Sequence, residues 1–322
     1  MTHALPEVAF MFPGQGSQAV GMGKELAAMY PVAQRTFDEA DEALGYKLSQ
    51  LCLEGPEEKL RMTEVTQPAI LTVSVAAWRV LESMGFKPNF VAGHSLGEYS
   101  AHVAAGTLSF ADAVRTVRNR GKYMQEAVPV GVGAMAAILA LPLEQIRAVC
   151  RESAQPGEVC EAANVNSPDQ VVISGSKAAV ERAAEACKHK GAKRAVMLPV
   201  SAPFHCALMQ PAQDRLAADL NALQFNNPSV PVMCNVDAKP VTTAEAARNA
   251  LIRQVTGTVQ WDRSVRELIA LGVTQFVEAG PGKVLCGLMR QIDRSQSCVN
   301  VEDEASLQKV KNLFGEGKSK AE

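Results

Sequence analysis

The five residues Gly93-His94-Ser95-Leu96-Gly97 constrain this chain more than any other stretch. The apolar run Phe90-Val91-Ala92 leads into them, and Leu96 to Ala105 reads as a helix. A serine between two glycines at this spacing fits a sharp strand-to-helix turn, where a side chain at either glycine would strike neighbouring backbone. Such a turn aims the serine oxygen outward and leaves the amide of Leu96 free to meet an oxyanion. The helix N-terminus beneath adds a field that favours negative charge. Small residues filling an ordinary turn would share the pattern, but the flanking strand and helix favour the reactive reading. His94 is a poor candidate base, because adjacent side chains at a tight turn diverge.

The rest of the chain reads as strand followed by helix, repeated, which calls for a parallel sheet covered on both faces. Val8 to Phe12 is a buried-strand run stopped by Pro13-Gly14. Helical patterns follow over Met22 to Phe37, Pro68 to Met84 and Ala111 to Met124. Later, Val230 to Val236 and Val273 to Ala279 read as strands, with Asp262 capping a helix to Leu271 and a last helix over Lys283 to Ile292.

The middle has a different order. Met135 to Leu141 is strand-like, Leu143 to Cys150 helical, and Val159 to Val165 and Gln170 to Ser174 strand-like. Ala178 to Lys190 is helical and Arg194 to Val200 a last strand. That βαββαβ order is the ferredoxin-like unit. The expectation is a small domain over 129–199 inserted into a larger discontinuous one, 1–128 plus 200–322.

Pro13-Gly14-Gln15-Gly16-Ser17-Gln18-Ala19 matches the spacing of a dinucleotide loop. That reading needs an acidic residue at the end of a second strand, whereas Asp38, Glu39 and Asp41 lie in a helical, charged run. The alternative is a loop beside the serine turn that brings Gln15 toward a reacting carbonyl. An oxyanion hole needs donors from more than one direction, and Leu96 gives one.

Five histidines leave few bases. His3 is terminal, His102 lies within a helix and His189 in the exposed run Lys188 to Lys190. His205, after a strand in Ser201-Ala202-Pro203-Phe204-His205, is best placed to reach the serine, a purely structural histidine being the other reading. Asp112 and Asp169 lie between Ser95 and His205, but neither sits at a convincing strand end, so no third member is readable. One of Arg118 and Arg120 can point inward, where a guanidinium grips a carboxylate with two parallel bonds.

A formal net charge of -2 over 322 residues gives no general attraction to nucleic acid or membrane. Eight scattered cysteines lack metal spacing and suit reduced, buried thiols. The start shows no secretory signal pattern, no run approaches a membrane span, and the tail from Gly315 to Glu322 is polar and expected to fray.

Taken together, Phe12 to Gln18, Gly93 to Glu98, Arg118-Asn119-Arg120-Gly121, Ala163 to Pro168, Pro203-Phe204-His205 and Glu278 to Lys283 resemble, in order, the malonyl-CoA:acyl carrier protein transacylases. The resemblance runs from about Val8 to Ile292. It implies an α/β-hydrolase-like large domain with a parallel sheet plus an inserted ferredoxin-like domain. It further implies Ser95 as acylated nucleophile, His205 as base, Gln15 and Leu96 as oxyanion hole, and Arg120 as the malonyl carboxylate grip. The main-chain carbonyl of Gln254 would orient His205, in place of the missing aspartate. Phe204, before the histidine, implies a poorer fit for a branched methylmalonyl group. A thioester is already activated, so no metal or bound cofactor is expected. Malonyl-CoA and an acidic acyl carrier protein are the implied partners, with no nucleic acid or membrane. A monomer in the cytoplasm is expected, serving type II fatty acid synthesis. Lys188, Lys190, Lys193 and Arg194 form a basic cluster, read either as a carrier-docking patch or as a solvated helix end. A serine hydrolase or thioesterase is the main rival class, and a non-catalytic carrier-binding scaffold the second.

Overall fold

The computed structural model describes residues 7–200 and 202–314. The tail expected to fray, His3 and the first six residues of the start lie outside them. In chain order the elements are β1 (Glu7–Phe12), α1 (Lys24–Met29), α2 (Pro31–Leu44), α3 (Leu48–Glu54), α4 (Glu57–Leu60), α5 (Thr63–Ser83), β2 (Phe90–Gly93), α6 (Gly97–Ala104) and α7 (Phe110–Ala127). Then come β3 (Gly133–Leu139), α8 (Leu143–Ser153), β4 (Cys160–Ser167), β5 (Gln170–Ser176), α9 (Lys177–His189) and β6 (Arg194–Met197). The chain continues with α10 (Gln210–Ala222), β7 (Val232–Met233), β8 (Pro240–Val241), α11 (Ala244–Arg253), α12 (Trp261–Ala270), β9 (Val273–Ala279), α13 (Val284–Ile292), β10 (Ser297–Val301) and α14 (Glu304–Phe314).

Two sheets organise these elements. The larger runs β10-β9-β1-β2-β7-β8, parallel except at β8. Its strands are apolar on both faces, as a sheet with helices on each side requires. Along β1, Val8, Phe10 and Phe12 enter one core with α2, α5 and α7, while Ala9 and Met11 enter another with α12 and α13. Phe10 meets Trp78 edge to face on the first side. The register decides where the chemistry falls. Phe12 pairs with Gly93 and Ala92 with Met233. The glycine-rich loop, the serine turn and the segment after β7 therefore leave the sheet side by side at its carboxyl edge.

The second sheet is antiparallel, ordered β4-β5-β3-β6, with α8 and α9 covering one face. Alternation along β3 sends Ala136 and Ile138 into that core and leaves Met135 and Ala137 on the opposite face. That face looks toward the serine turn. Val259 ties the sheets together, bonding Ala163 and Val165 on β4.

Several boundaries differ from the sequence expectations. The helix read over Met22 to Phe37 is two, because the backbone turns extended at Tyr30 and Pro31, which suits a first helical position, opens α2. The helix read from Pro68 starts at Thr63 and carries Pro68 within it. The strand read over Val230 to Val236 shrinks to two residues, since Cys234 begins a turn closed by Ala238. Asp262 does not cap α12; Gln260 precedes the helix, and Asp262 pairs with Arg266 one turn on. The expectation of reduced thiols throughout fails at one pair. Cys286 on α13 and Cys298 on β10 form a disulfide, their Cα atoms 5.4 Å apart, while the other six cysteines are buried and free. Their separation of 12 residues held no sequence hint that α13 folds back along β10.

Candidate active site

The turn between β2 and α6 is as tight as its glycines allow. A Cβ on Gly93 would lie 1.9 Å from the carbonyl of Gly97, and one on Gly97 would lie 2.0 Å from the Phe12 oxygen. Ser95 between them takes φ 50°, a left-handed conformation that a non-glycine residue adopts at an energetic cost. Asn235, just after β7, holds this bend. Its side chain accepts from the Ser95 amide at 2.7 Å and donates to the Gly93 oxygen at 2.7 Å.

Ser95 opens into a cleft of about 710 Å³ between the two sheets. Gln15, Gly16, Leu96, Gln67 and Arg120 line one side, with Met135, Asn164, Val172 and Leu198 on the other. His205 and Phe204 reach in beside the serine. Ser95 Oγ lies 2.6 Å from His205 Nε2. Nδ1 of the same ring faces two main-chain carbonyls, Gln254 O at 2.9 Å and Gly257 O at 3.2 Å. Carbonyls only accept, so Nδ1 carries the proton and Nε2 is left to accept from the serine hydroxyl. Burial, with Arg120 adding to it, lowers the His205 pKa to about 3. The ring is therefore neutral, and a proton acceptor, at any ordinary pH.

Arg120 is 2% exposed. It donates to Gln67 Oε1 at 2.8 Å, Gln254 Oε1 at 2.9 Å and Ser95 Oγ at 3.1 Å. Its Nε has no partner, and it forms no ion pair among the described residues. A buried guanidinium without a carboxylate is costly and favours an anionic ligand. Arg118, by contrast, is exposed and stacks over Tyr46.

Of the six residues singled out in the sequence, Ser95, His205, Gln15, Leu96 and Arg120 line one cleft, and Gln254 is buried behind it in contact with Ser95, His205 and Arg120. His94 also lines the cleft but is bonded elsewhere, its Nε2 2.8 Å from Asn166 Oδ1 and its ring against Trp261. His102 is buried and His189 lies on the surface. Ser109 caps α7 by accepting from the Asp112 amide, and the Asp112 carboxylate accepts from Ser109 and Arg115 within that turn, so it plays no triad part. Asp38, Glu39 and Asp41 lie on α2, not at a strand end, which removes the nucleotide requirement. Sequence reasoning missed Asn235, Gln67 and Gly257. Asn235 had a usable signal, a polar residue at the carboxyl end of a parallel strand; the other two had none. Glu278, quoted within a motif, is structural: its carboxylate accepts from the Leu285 and Cys286 amides at the start of α13. No group of three or more His, Cys, Asp or Glu side chains among the described residues is placed to hold a metal.

A nucleophilic hydroxyl, a neutral imidazole and an unpaired cation in one cleft suit acyl transfer from an acid-bearing donor. A family model described as an acyl transferase domain matches residues 9–314. The chain is 54% identical over 304 residues to the malonyl CoA-acyl carrier protein transacylase of Salmonella typhimurium, covering 94% of this chain and 98% of that one. It belongs to the malonyl-CoA:acyl carrier protein transacylase family. The transacylase of Bacillus subtilis is 49% identical over 304 residues, with 94% and 96% covered. Among solved transacylase structures, an acyl carrier protein S-malonyltransferase from Vibrio cholerae matches with a TM-score of 0.93 at 52% identity, over 94% of this chain and 99% of that one. A malonyl-transacylase in complex with its type II polyketide synthase acyl-carrier protein matches with a TM-score of 0.93 at 51% identity, over 95% and 99%.

Proposed function

We propose that this enzyme transfers the malonyl group of malonyl-CoA to the phosphopantetheine thiol of acyl carrier protein through a malonyl-Ser95 ester. The observation that carries the reading is Arg120, a buried cation without an ion pair among the described residues, donating to the same oxygen that His205 can deprotonate. His205 Nε2 takes the Ser95 proton as Oγ attacks the thioester carbonyl. Gln15 and the Leu96 amide stabilise the oxyanion. The carbon–sulfur bond then breaks, His205 returns the proton to the CoA sulfur, and CoA leaves. The carrier thiol enters and reverses these steps, giving ping-pong kinetics. The Gln254 and Gly257 carbonyls favour the imidazolium that forms in each half-reaction. A malonyl carboxylate on Arg120 also offsets the positive charge that depresses His205, so the correct substrate makes the base stronger.

The larger sheet with its flanking helices is read as the α/β-hydrolase-like domain, 1–128 plus 200–322. The antiparallel sheet with α8 and α9 is read as the ferredoxin-like domain, 129–199. Strand order β4-β5-β3-β6 and the βαββαβ sequence of elements support that reading. We place the enzyme in the cytoplasm as a monomer serving type II fatty acid synthesis, with no cofactor beyond its two substrates. Phe204 against the cleft disfavours a methylmalonyl branch. Carrier protein docks at β6, where Lys193 and Arg194 are exposed and the strand runs on into the cleft wall at Leu198. Lys188 and Lys190 contribute less, because Glu185 and Glu152 already pair with them.

Incubation with malonyl-CoA and holo carrier protein tests the assignment against the hydrolase reading. Malonyl-carrier protein as the dominant product supports transfer, and free malonate as the dominant product rejects it.

A further inference from the structure

Glu98 is the one charged group behind the site that the mechanism above leaves without a task. It is 0% exposed on α6, in the turn after Ser95. Its Oε2 accepts from Gln254 Nε2 at 2.7 Å and from the Asn235 amide at 3.1 Å, while Oε1 has no partner. These contacts join everything that shapes the site. Asn235 holds the serine turn. The main chain of Gln254 orients His205, and its side chain also donates to the main-chain carbonyl of Ser95 at 2.8 Å. Gln254 Oε1 meanwhile accepts from Arg120 at 2.9 Å. A single primary amide therefore stands between a buried cation and a buried carboxyl, its oxygen toward the guanidinium and its nitrogen toward Glu98. That polarity suits a charged pair at the two ends.

We propose that Glu98 is a positioning residue that supplies the counter-charge for Arg120 across the Gln254 amide, and that binding of a carboxylate-bearing acyl group draws a proton onto it. The inference rests on Arg120 gripping the substrate carboxylate. In the empty site one buried cation faces one buried carboxylate. When a second carboxylate arrives on Arg120, two anions share that cation in a low-dielectric setting, and Glu98, which reaches the cation only through the Gln254 amide and has an Oε1 without a partner, is the one protonated. The bond made is O–H on Glu98, and the proton comes from solvent. Burial already raises the Glu98 pKa to about 7, opposed by the Gln254 and Asn235 donors and by Arg120, so a modest further rise is felt near neutral pH.

The other charged or titratable groups facing Glu98 are Tyr99 on its own helix, Cys234 and Asp237 after β7, Arg253 on α11 and Arg120 on α7. Arg253 is paired with Asp237 at 2.6 Å, and Tyr99 and Cys234 are held well above neutrality by burial. His205, lowered to about 3, also stays unprotonated near neutral pH. Glu98 is the group left to respond.

The test is calorimetric titration of Ser95→Ala, which cannot be acylated, with malonyl-CoA and with acetyl-CoA in buffers of different ionisation enthalpy just above neutral pH. The expected result is uptake of roughly half a proton or more per malonyl-CoA bound, and none for acetyl-CoA. Adding Glu98→Gln should abolish the uptake. Malonyl-CoA bound more tightly than acetyl-CoA but without uptake, or with uptake that persists in Glu98→Gln, overturns the proposal and leaves Arg120's grip standing. Malonyl-CoA bound no more tightly than acetyl-CoA overturns the grip and the proposal together. The comparison of the two thioesters in Ser95→Ala alone decides the matter if the Glu98 variant fails to fold.

Discussion

At Ser95 the backbone is held in a left-handed conformation so that one oxygen meets an imidazole and a guanidinium together. The serine and its glycines could be read from the sequence because no other residue types fit so close an approach. His205 emerged by elimination among five histidines, and the resemblance pointed to Arg120 over Arg118. The residues that were not legible act through main chain or amide groups. The Gly257 carbonyl belongs to no side chain, and Gln67 and Asn235 look like any polar residue until the register brings them in. Replacing Arg120 with Ala should cost about 3 kcal/mol of malonyl transition-state binding, roughly a hundredfold in kcat/KM. Acetyl-CoA should lose far less. Steady-state kinetics on both thioesters checks this, and an unchanged malonyl preference would contradict the role given to Arg120.

Among the elements, those bounded by glycine or proline beside a clear apolar run are legible in the sequence, whatever their length. The strand–turn–helix of β2 and α6 and the βαββαβ order of the middle follow directly from apolar runs punctuated by glycine and proline. Helices α3, α4, α10, α11 and α14 are not legible in the sequence; each carries only a few apolar positions, so packing decides it. The edge strand β6 is informative in another way. With Lys193 just before it, it exposes Arg194, Val196 and Met197, a mixture suited to an acidic partner with an apolar patch. Reversing the charges of Lys193 and Arg194 should raise the KM for carrier protein about 2- to 10-fold, as rim charges do, and leave that for malonyl-CoA unchanged. A matched rise in both would argue against docking there.

The molecule as a whole buries ionisable groups of opposite tendency, which gives its stability a distinctive pH dependence. His102 and His205 are lowered from 6.5 to about 3, in each case chiefly by burial. Glu98 and Glu278 are raised from 4.5 to about 7, again chiefly by burial. Between 3 and 6.5 the unfolded chain binds more protons at the histidines, so their contribution falls as pH drops through that window. Between 4.5 and 7 the folded chain binds more at the carboxyls, so theirs falls as pH rises. The two oppose each other from 4.5 to 6.5, and only the histidine effect remains below. His94, also lowered chiefly by burial, adds to the histidine side, so thermal unfolding across a pH series should show a shallow slope of the midpoint within that range and a steeper fall beneath it. A steady decline from 6.5 downward would mean that the buried carboxyls ionise normally. None of this was visible in the sequence, which fixes no residue's burial.

Intact-mass analysis after brief exposure to malonyl-CoA bears on the covalent intermediate itself. The parent protein should gain a single malonyl increment that disappears when holo carrier protein is added, and Ser95→Ala should gain none. A parent that stays unmodified, or a Ser95→Ala variant that still takes up the malonyl group, would contradict the account.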